Sequence, residues 1–264
     1  MNEPAPATPR PGPSELKLRV ASALVLAALI LIATLWGGWP FRLVWIVVAG
    51  VAAYEWLAMV NRGNAIPAGI AVVVAGFALA FSSTSPAALA GTAAAAALLG
   101  AVATPFVRSR IALELCGVAY ALAFALVTPA LRDLPGIGLA LILWSFAVVW
   151  LTDIGAYFTG RRLGGPKLMP SVSPKKTWSG AIGGAVAGMI GGYLVWRLTP
   201  SLEGLTAAGP VIAVSLAGSI VSQAGDLFES ALKRRFDIKD SSKLIPGHGG
   251  FLDRLDGYWA VLVL

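Results

Sequence analysis

Apolar residues along this chain run in continuous stretches of about twenty, broken by short polar segments, rather than alternating or recurring on one helical face. Some 20 apolar residues cover the roughly 30 Å hydrocarbon core of a bilayer as a helix, whereas barrel strands need a period of two. The pattern predicts an all-α fold, a polytopic transmembrane helix bundle, with spans near 20–37, 41–61, 65–82, 86–106, 111–131, 136–158, 178–198 and 206–228. The eight residues after Asp256, GYWAVLVL, give only about 12 Å of helix at 1.5 Å per residue. They read as a half-helix or the start of a ninth span, so the expected count is eight to nine. Pro4, Pro6, Pro9, Pro11 and Pro13 break any helix at the start, and residues 1–19 read as a disordered tail. N-terminal membrane helices are expected over 20–135 and a C-terminal catalytic region over 136–264.

Composition sharpens this picture. Of 264 residues, 57% are hydrophobic and 12% charged, against about 45–50% and 25% in soluble domains, which excludes a water-soluble single domain. The single cysteine, Cys116, excludes an internal disulfide, and the single histidine, His248, excludes His-rich zinc or haem sites. Any metal must be held by oxygen.

The net charge of +7 would suggest nucleic acid in a soluble protein, but its distribution assigns it to membrane orientation, with no nucleic-acid partner. With the N-terminus in the cytoplasm, 17 of the 20 basic residues fall inside and only Arg42, Arg132 and Arg197 outside. Two inside loops concentrate them: 159–177 holds five and 229–256 holds six.

In the first loop Ser173, Lys175, Lys176 and Thr177 lie just before a helix expected from Trp178, where unpaired N–H groups favour an anion. The topogenic alternative is that these cations only anchor the span. Asp153 precedes this loop at the end of its span. Asp226 sits where the last long span meets the interface, a costly place for an acid, with Lys233 or Arg234 as structural partners. In the second loop Asp237, Asp240, Asp253 and Asp256 are interleaved with cations, and a helix from Gly250 would put Asp253 and Asp256 on one face. Close carboxylates either pair with cations or hold a divalent ion, for which oxygen-only ligation suits Mg²⁺. Gly247, Gly249 and Gly250 either let the backbone approach a ligand or make a turn after Pro246, and His248 packs in that turn or moves protons.

The run from Ser230 to Asp256 resembles the signature of the phosphatidate cytidylyltransferases: Ser230, Leu232, Lys233 and Arg234, then Lys239, Asp240, Ser242, Ile245, Pro246, His248, Gly249, Gly250, Phe251, Asp253, Arg254, Leu255 and Asp256. The resemblance continues in GDLFES, SPKKTW and DIGAYFTGRRLG, and more weakly in LKLRVASA and AYEW, with Ser179 departing from the Glu or Gln common after SPKKTW. It implies transfer of a cytidylyl group from CTP to phosphatidic acid with Mg²⁺, in the inner membrane of a bacterium and by a homodimer. It also implies Asp226, Asp253, Asp256, Lys233, Arg234 and Lys239 as catalytic, with the three aspartates at the metal. Ser173, Lys175, Lys176, Thr177, Ser230, Asp240, His248, Gly249, Gly250 and Arg254 would then bind substrate or order the loop around it. A CDP-alcohol phosphotransferase would carry a DGxxAR run, which is missing, and a transporter would carry acids near mid-span, whereas Glu55 and Glu114 lie towards span ends.

Overall fold

The computed structural model describes residues 13–61, 65–80, 86–104, 109–245 and 249–262. Its helices are α1 (Pro13–Trp36), α2 (Gly38–Asn61), α3 (Ile66–Ala80), α4 (Pro86–Ala103), α5 (Arg110–Arg132), α6 (Gly138–Leu163), α7 (Trp178–Leu198), α8 (Pro200–Glu203), α9 (Ala208–Arg235) and α10 (Leu252–Leu262). Among the described residues each of the eight expected spans contains a helix, and five of these, α2, α5, α6, α7 and α9, are long and apolar enough to cross a membrane.

Three differences from the expected pattern have physical causes. The first helix starts at Pro13, inside the segment expected to be tail, because proline is tolerated in a first helical turn where no N–H is needed; residues 1–12 lie outside the described ones. Helices α6 and α9 continue to Leu163 and Arg235, past the expected ends at 158 and 228. An apolar run measures the membrane, and a helix can continue beyond it. The third difference is a hairpin in a chain expected to be all-α: β1 (Lys167–Met169) pairs antiparallel with β2 (Ser173–Thr177). Pro166, Pro170 and Pro174 disfavour helix in this stretch and leave it extended.

The core lies around α2, whose Trp45 and Trp56 are almost fully buried. Trp45 stacks on Phe124 of α5 and on Tyr258 of α10, and Tyr120 of α5 stacks on Trp259 of α10 with ring centroids 4.3 Å apart. A stacked pair of this kind adds about 0.5–1.5 kcal/mol beyond area burial. The C-terminal half-helix is thus seated by its own aromatic residues, which fixes where its N-terminal part, with Asp253 and Asp256, can stand. Helices α6 and α7 approach through small residues: a Cβ on Gly155 would lie 2.5 Å from that of Ala187, and one on Gly184 2.8 Å from the Thr152 carbonyl oxygen. That seam is the membrane-protein solution of close backbone packing. It holds the hairpin, which joins these two helices, over their shared end.

Candidate active site

Helix α7 begins at Trp178 as the sequence predicted, and Thr177 caps it by accepting from the Gly180 N–H at 3.1 Å. The hydroxyl of Ser179 donates to the carbonyl of Gly164, the residue that ends α6, so this departure from the motif ties the end of α6 to the first turn of α7. Between α6, β2, α7 and α9 opens a cleft of about 490 Å³. Asp153, Tyr157 and Arg161 line it from α6, Lys175, Lys176 and Thr177 from β2, and Gln223 and Asp226 from α9; Ala156, Leu168 and Ala181 add apolar wall.

Lys176 pairs with Asp226 inside this cleft, and Ser230, one turn on, donates to Asp226 Oδ1 at a long 3.5 Å. Asp153 and Asp256 come within coulombic range of Asp226 from α6 and α10. The cleft therefore carries acids from two helices, Asp153 of α6 and Asp226 of α9, and offers cations from the hairpin and from α6.

A second cluster lies behind it. The Lys233 ammonium bridges Glu229 at 2.9 Å and Asp253 at 2.6 Å, and all three side chains are nearly buried. Asp253 also accepts from the Gly250 N–H at 2.8 Å and from the Ser241 N–H at 3.0 Å. Burial alone would raise the Asp253 carboxyl, but Lys233 and these two N–H groups outweigh it and hold it below the ordinary Asp value. Glu55 of α2 reaches the same loop: its carboxylate accepts from the hydroxyls of Ser241 and Ser242 and from the N–H groups of Phe251 and Leu252.

The glycine pair between these carboxylates is required by them. Gly249 has φ +85°, and a Cβ there would stand 2.7 Å from Asp253 Oδ2. A Cβ on Gly250 would meet Ser241 Oγ at 2.0 Å and the Glu55 oxygens at 2.6 and 2.7 Å. The groups that approach these two glycines are the protein's own side chains, Asp253 at Gly249 and Ser241 and Glu55 at Gly250.

A sequence profile of the Cytidylyltransferase family matches residues 17–264. The chain belongs to that family. It is 43% identical over 255 residues to the phosphatidate cytidylyltransferase of Brucella suis, covering 95% of this chain and 92% of the relative. Shorter matches, 41% identical over 137 residues and 44% over 126, join it to the enzymes of the same name in Bacillus subtilis and Haemophilus influenzae, about half of either chain in each case.

Against that family background, the expected site residues divide into three groups. Asp226, Lys175, Lys176 and Thr177 line the cleft, with Ser230 and Asp256 beside Asp226. Lys233 and Asp253 pair with each other, so Lys233 is held by carboxylates rather than turned to the cleft, and Gly249 and Gly250 make room for the acids around them. Arg234 donates to the carbonyls of Val172 and Ile238, tying hairpin to loop, while Lys239, Asp240 and Arg254 are exposed and Ser173 is half-buried. His248 lies outside the described residues. Among the described residues no group of three or more His, Cys, Asp or Glu side chains is arranged to hold a metal ion by itself.

Two acids outside the expected set stand among these groups. Asp153 lines the cleft, and its signal was available as an acid at the cytidylyltransferase-like DIGAYFTGRRLG run. Glu55 gave only the weak AYEW signal, because its partners lie 186 to 197 residues further on.

Proposed function

We propose that this chain is a phosphatidate cytidylyltransferase: it transfers the cytidylyl group of CTP to phosphatidic acid, giving CDP-diacylglycerol and pyrophosphate. The observation that carries the reading is the cleft itself, in which Asp153, Asp226, Lys175, Lys176 and Arg161 share one space with the apolar wall of Ala156, Leu168 and Ala181. One substrate is a soluble triphosphate and the other carries two acyl chains, so the site must present charge and grease together at the end of membrane helices.

The attacking atom is a phosphate oxygen of phosphatidic acid, already largely ionised near neutral pH, and needs no Ser-His-Asp relay. Its bond to the α-phosphorus forms as the bond from that phosphorus to the β-bridging oxygen breaks, and pyrophosphate leaves with the electron pair. What remains for the protein is positioning and charge stabilisation. Lys175 and Arg161 neutralise phosphate oxygens, and Lys176 does so on release from Asp226. The oxygen donors of the cleft suit Mg²⁺: Asp226 would be its principal carboxylate, helped by Asp153 of the same cleft and by Asp256 of α10. When bound, that ion supplies Lewis-acid stabilisation of the phosphates. Asp253, with both oxygens already accepting hydrogen bonds, acts on the site by holding Lys233 and the loop.

Eight spans and the buried half-helix α10, an N-terminus in the cytoplasm, the inner membrane of a bacterium and a homodimer complete the reading. The outward-facing cations support the orientation, because each is already tied within the fold. Arg42 pairs with Asp133 at 2.6 Å, Arg197 pairs with Glu203 at 2.8 Å, and Arg132 donates to the Thr34 carbonyl at 2.9 Å. The deciding assay supplies CTP, phosphatidic acid and Mg²⁺ in detergent and follows pyrophosphate and CDP-lipid together. Equimolar release of both is expected. Turnover of CDP-lipid with an alcohol, and none of CTP, would assign the chain to the phosphotransferases instead.

A further inference from the structure

We infer that Glu55 is a positioning residue of the reaction, a carboxylate delivered by α2 that holds two described stretches, 238–245 and 249–252, in their working shape. This rests on the proposed cytidylyl transfer and on the resemblance that implies Lys239, carried by the first of these stretches, as a catalytic residue.

The geometry is that of a filled acceptor. Oε1 of Glu55 accepts from Ser242 Oγ at 2.5 Å and from the Phe251 N–H at 2.9 Å; Oε2 accepts from Ser241 Oγ at 3.0 Å and from the Leu252 N–H at 2.8 Å. An ionised carboxylate offers about four lone-pair sites, and all four are taken here. Glu55 is fully buried, so it has neither the exposure nor the spare lone pairs to touch a substrate or metal. Its bonds reach both stretches at once: two serines directly after Lys239 and Asp240, and the N–H groups of Phe251, just before α10, and of Leu252, its first residue. Those N–H groups are orphan donors at a helix start, where a negative charge is favourable. Gly250 keeps the passage open, since any side chain there would collide with the Glu55 oxygens. Asp253 repeats the arrangement from the other side, taking the Ser241 and Gly250 N–H groups while holding Lys233. Two carboxylates from distant parts of the chain thus grip one backbone segment.

Replacing Glu55 by Gln keeps the shape but turns one oxygen into an N–H donor facing donors. The serine hydroxyls can rotate to accept; a backbone N–H cannot. At least one backbone bond to a charged acceptor is lost, a change of about 10-fold or more in the equilibrium between ordered and disordered loop. When substrate binding must first order its own loop, the apparent affinity falls by the ordered fraction while the saturated rate is retained.

In the full-length protein in detergent, Glu55→Gln is therefore expected to raise the KM for CTP about 10-fold or more with kcat within a few-fold of wild type, and to speed trypsin cleavage after Lys239 and Lys243 by a similar factor. Glu55→Asp, which keeps the charge, should recover part of both. Should Glu55→Gln fail to insert, Ser241→Ala/Ser242→Ala removes two of the four donors without altering α2 and is expected to shift the same two readouts. Unchanged loop cleavage, or a fall in kcat with KM for CTP unchanged, would overturn the proposal and leave Glu55 a packing residue. The cleavage measurement needs no turnover, so it tests Glu55 even in a protein found to lack the proposed activity.

Discussion

Replacing Asp226 by Asn removes one negative charge from the cleft and leaves the shape of the side chain. The structure separates the two consequences. For stability, the pair to be lost is Lys176–Asp226, whose side chains are 27% and 33% exposed. Ion pairs at such exposure contribute about 0.2–1 kcal/mol, which corresponds to a fall of roughly 4 °C or less in the melting temperature. For catalysis, Asp226 is the carboxylate proposed to hold Mg²⁺ against the phosphates, and loss of one group that stabilises transition-state charge typically costs about 10²–10³ in rate, or roughly 2.7–4 kcal/mol. Turnover should therefore fall by orders of magnitude in a protein that melts almost normally. The assay is pyrophosphate release against Mg²⁺ concentration at saturating CTP and phosphatidic acid, with thermal unfolding measured on the same preparation. A variant that melts much earlier, yet keeps wild-type turnover per folded molecule and an unchanged Mg²⁺ midpoint, would refute the metal role and leave Asp226 as the structural partner of Lys176. The same titration on Asp253→Asn should show no shift in midpoint; a shift would return Asp253 to the metal.

Lys175→Gln and Lys176→Gln should each lower kcat/KM for CTP by about 10- to 150-fold, the range for a charge-assisted contact, and normal kinetics in both would reduce these lysines to membrane anchors. Gly250→Ala places a methyl 2.0 Å from Ser241 Oγ and should destabilise the fold by about 1–3 kcal/mol, measured by thermal unfolding; a melting temperature equal to wild type would mean the loop can yield. In a Cys116→Ala background, single cysteines at Ser171 and Lys243, both exposed, should react with an impermeant thiol reagent only from the cytoplasmic face; labelling from opposite faces would separate hairpin and loop and dismantle the site.

What the sequence made legible followed from local physics. Continuous apolar runs placed the eight helices, the start of α7 near Trp178 included, because such runs depend on neighbouring residues. The hairpin escaped notice because its prolines, spread over 166–174, were read only as loop. The three aspartates of the signature region were expected to act together, yet the N-terminal part of α10 sends Asp253 back onto Lys233 and leaves Asp256 towards Asp226. Residues at i and i+3 share a helix face, but partners from α9 and from the loop decide which way each one turns. Glu55 was the least legible: an acid near a span end looks the same whether it meets water or a loop synthesised far later.

That order of synthesis gives the Glu55 contact a meaning for biogenesis. At about 5–20 residues per second, the 186 residues between Glu55 and Ser241 take roughly 10–40 s to make. Through this interval α2 is at the membrane with a carboxylate whose four donors do not yet exist. Its interim partners are water and headgroups, which favours holding that end of α2 at the interface until the chain returns. Arrival of the 241–252 segment then draws the acid inward and closes the bundle. A nascent chain arrested before that segment would keep a charged, unsealed helix end.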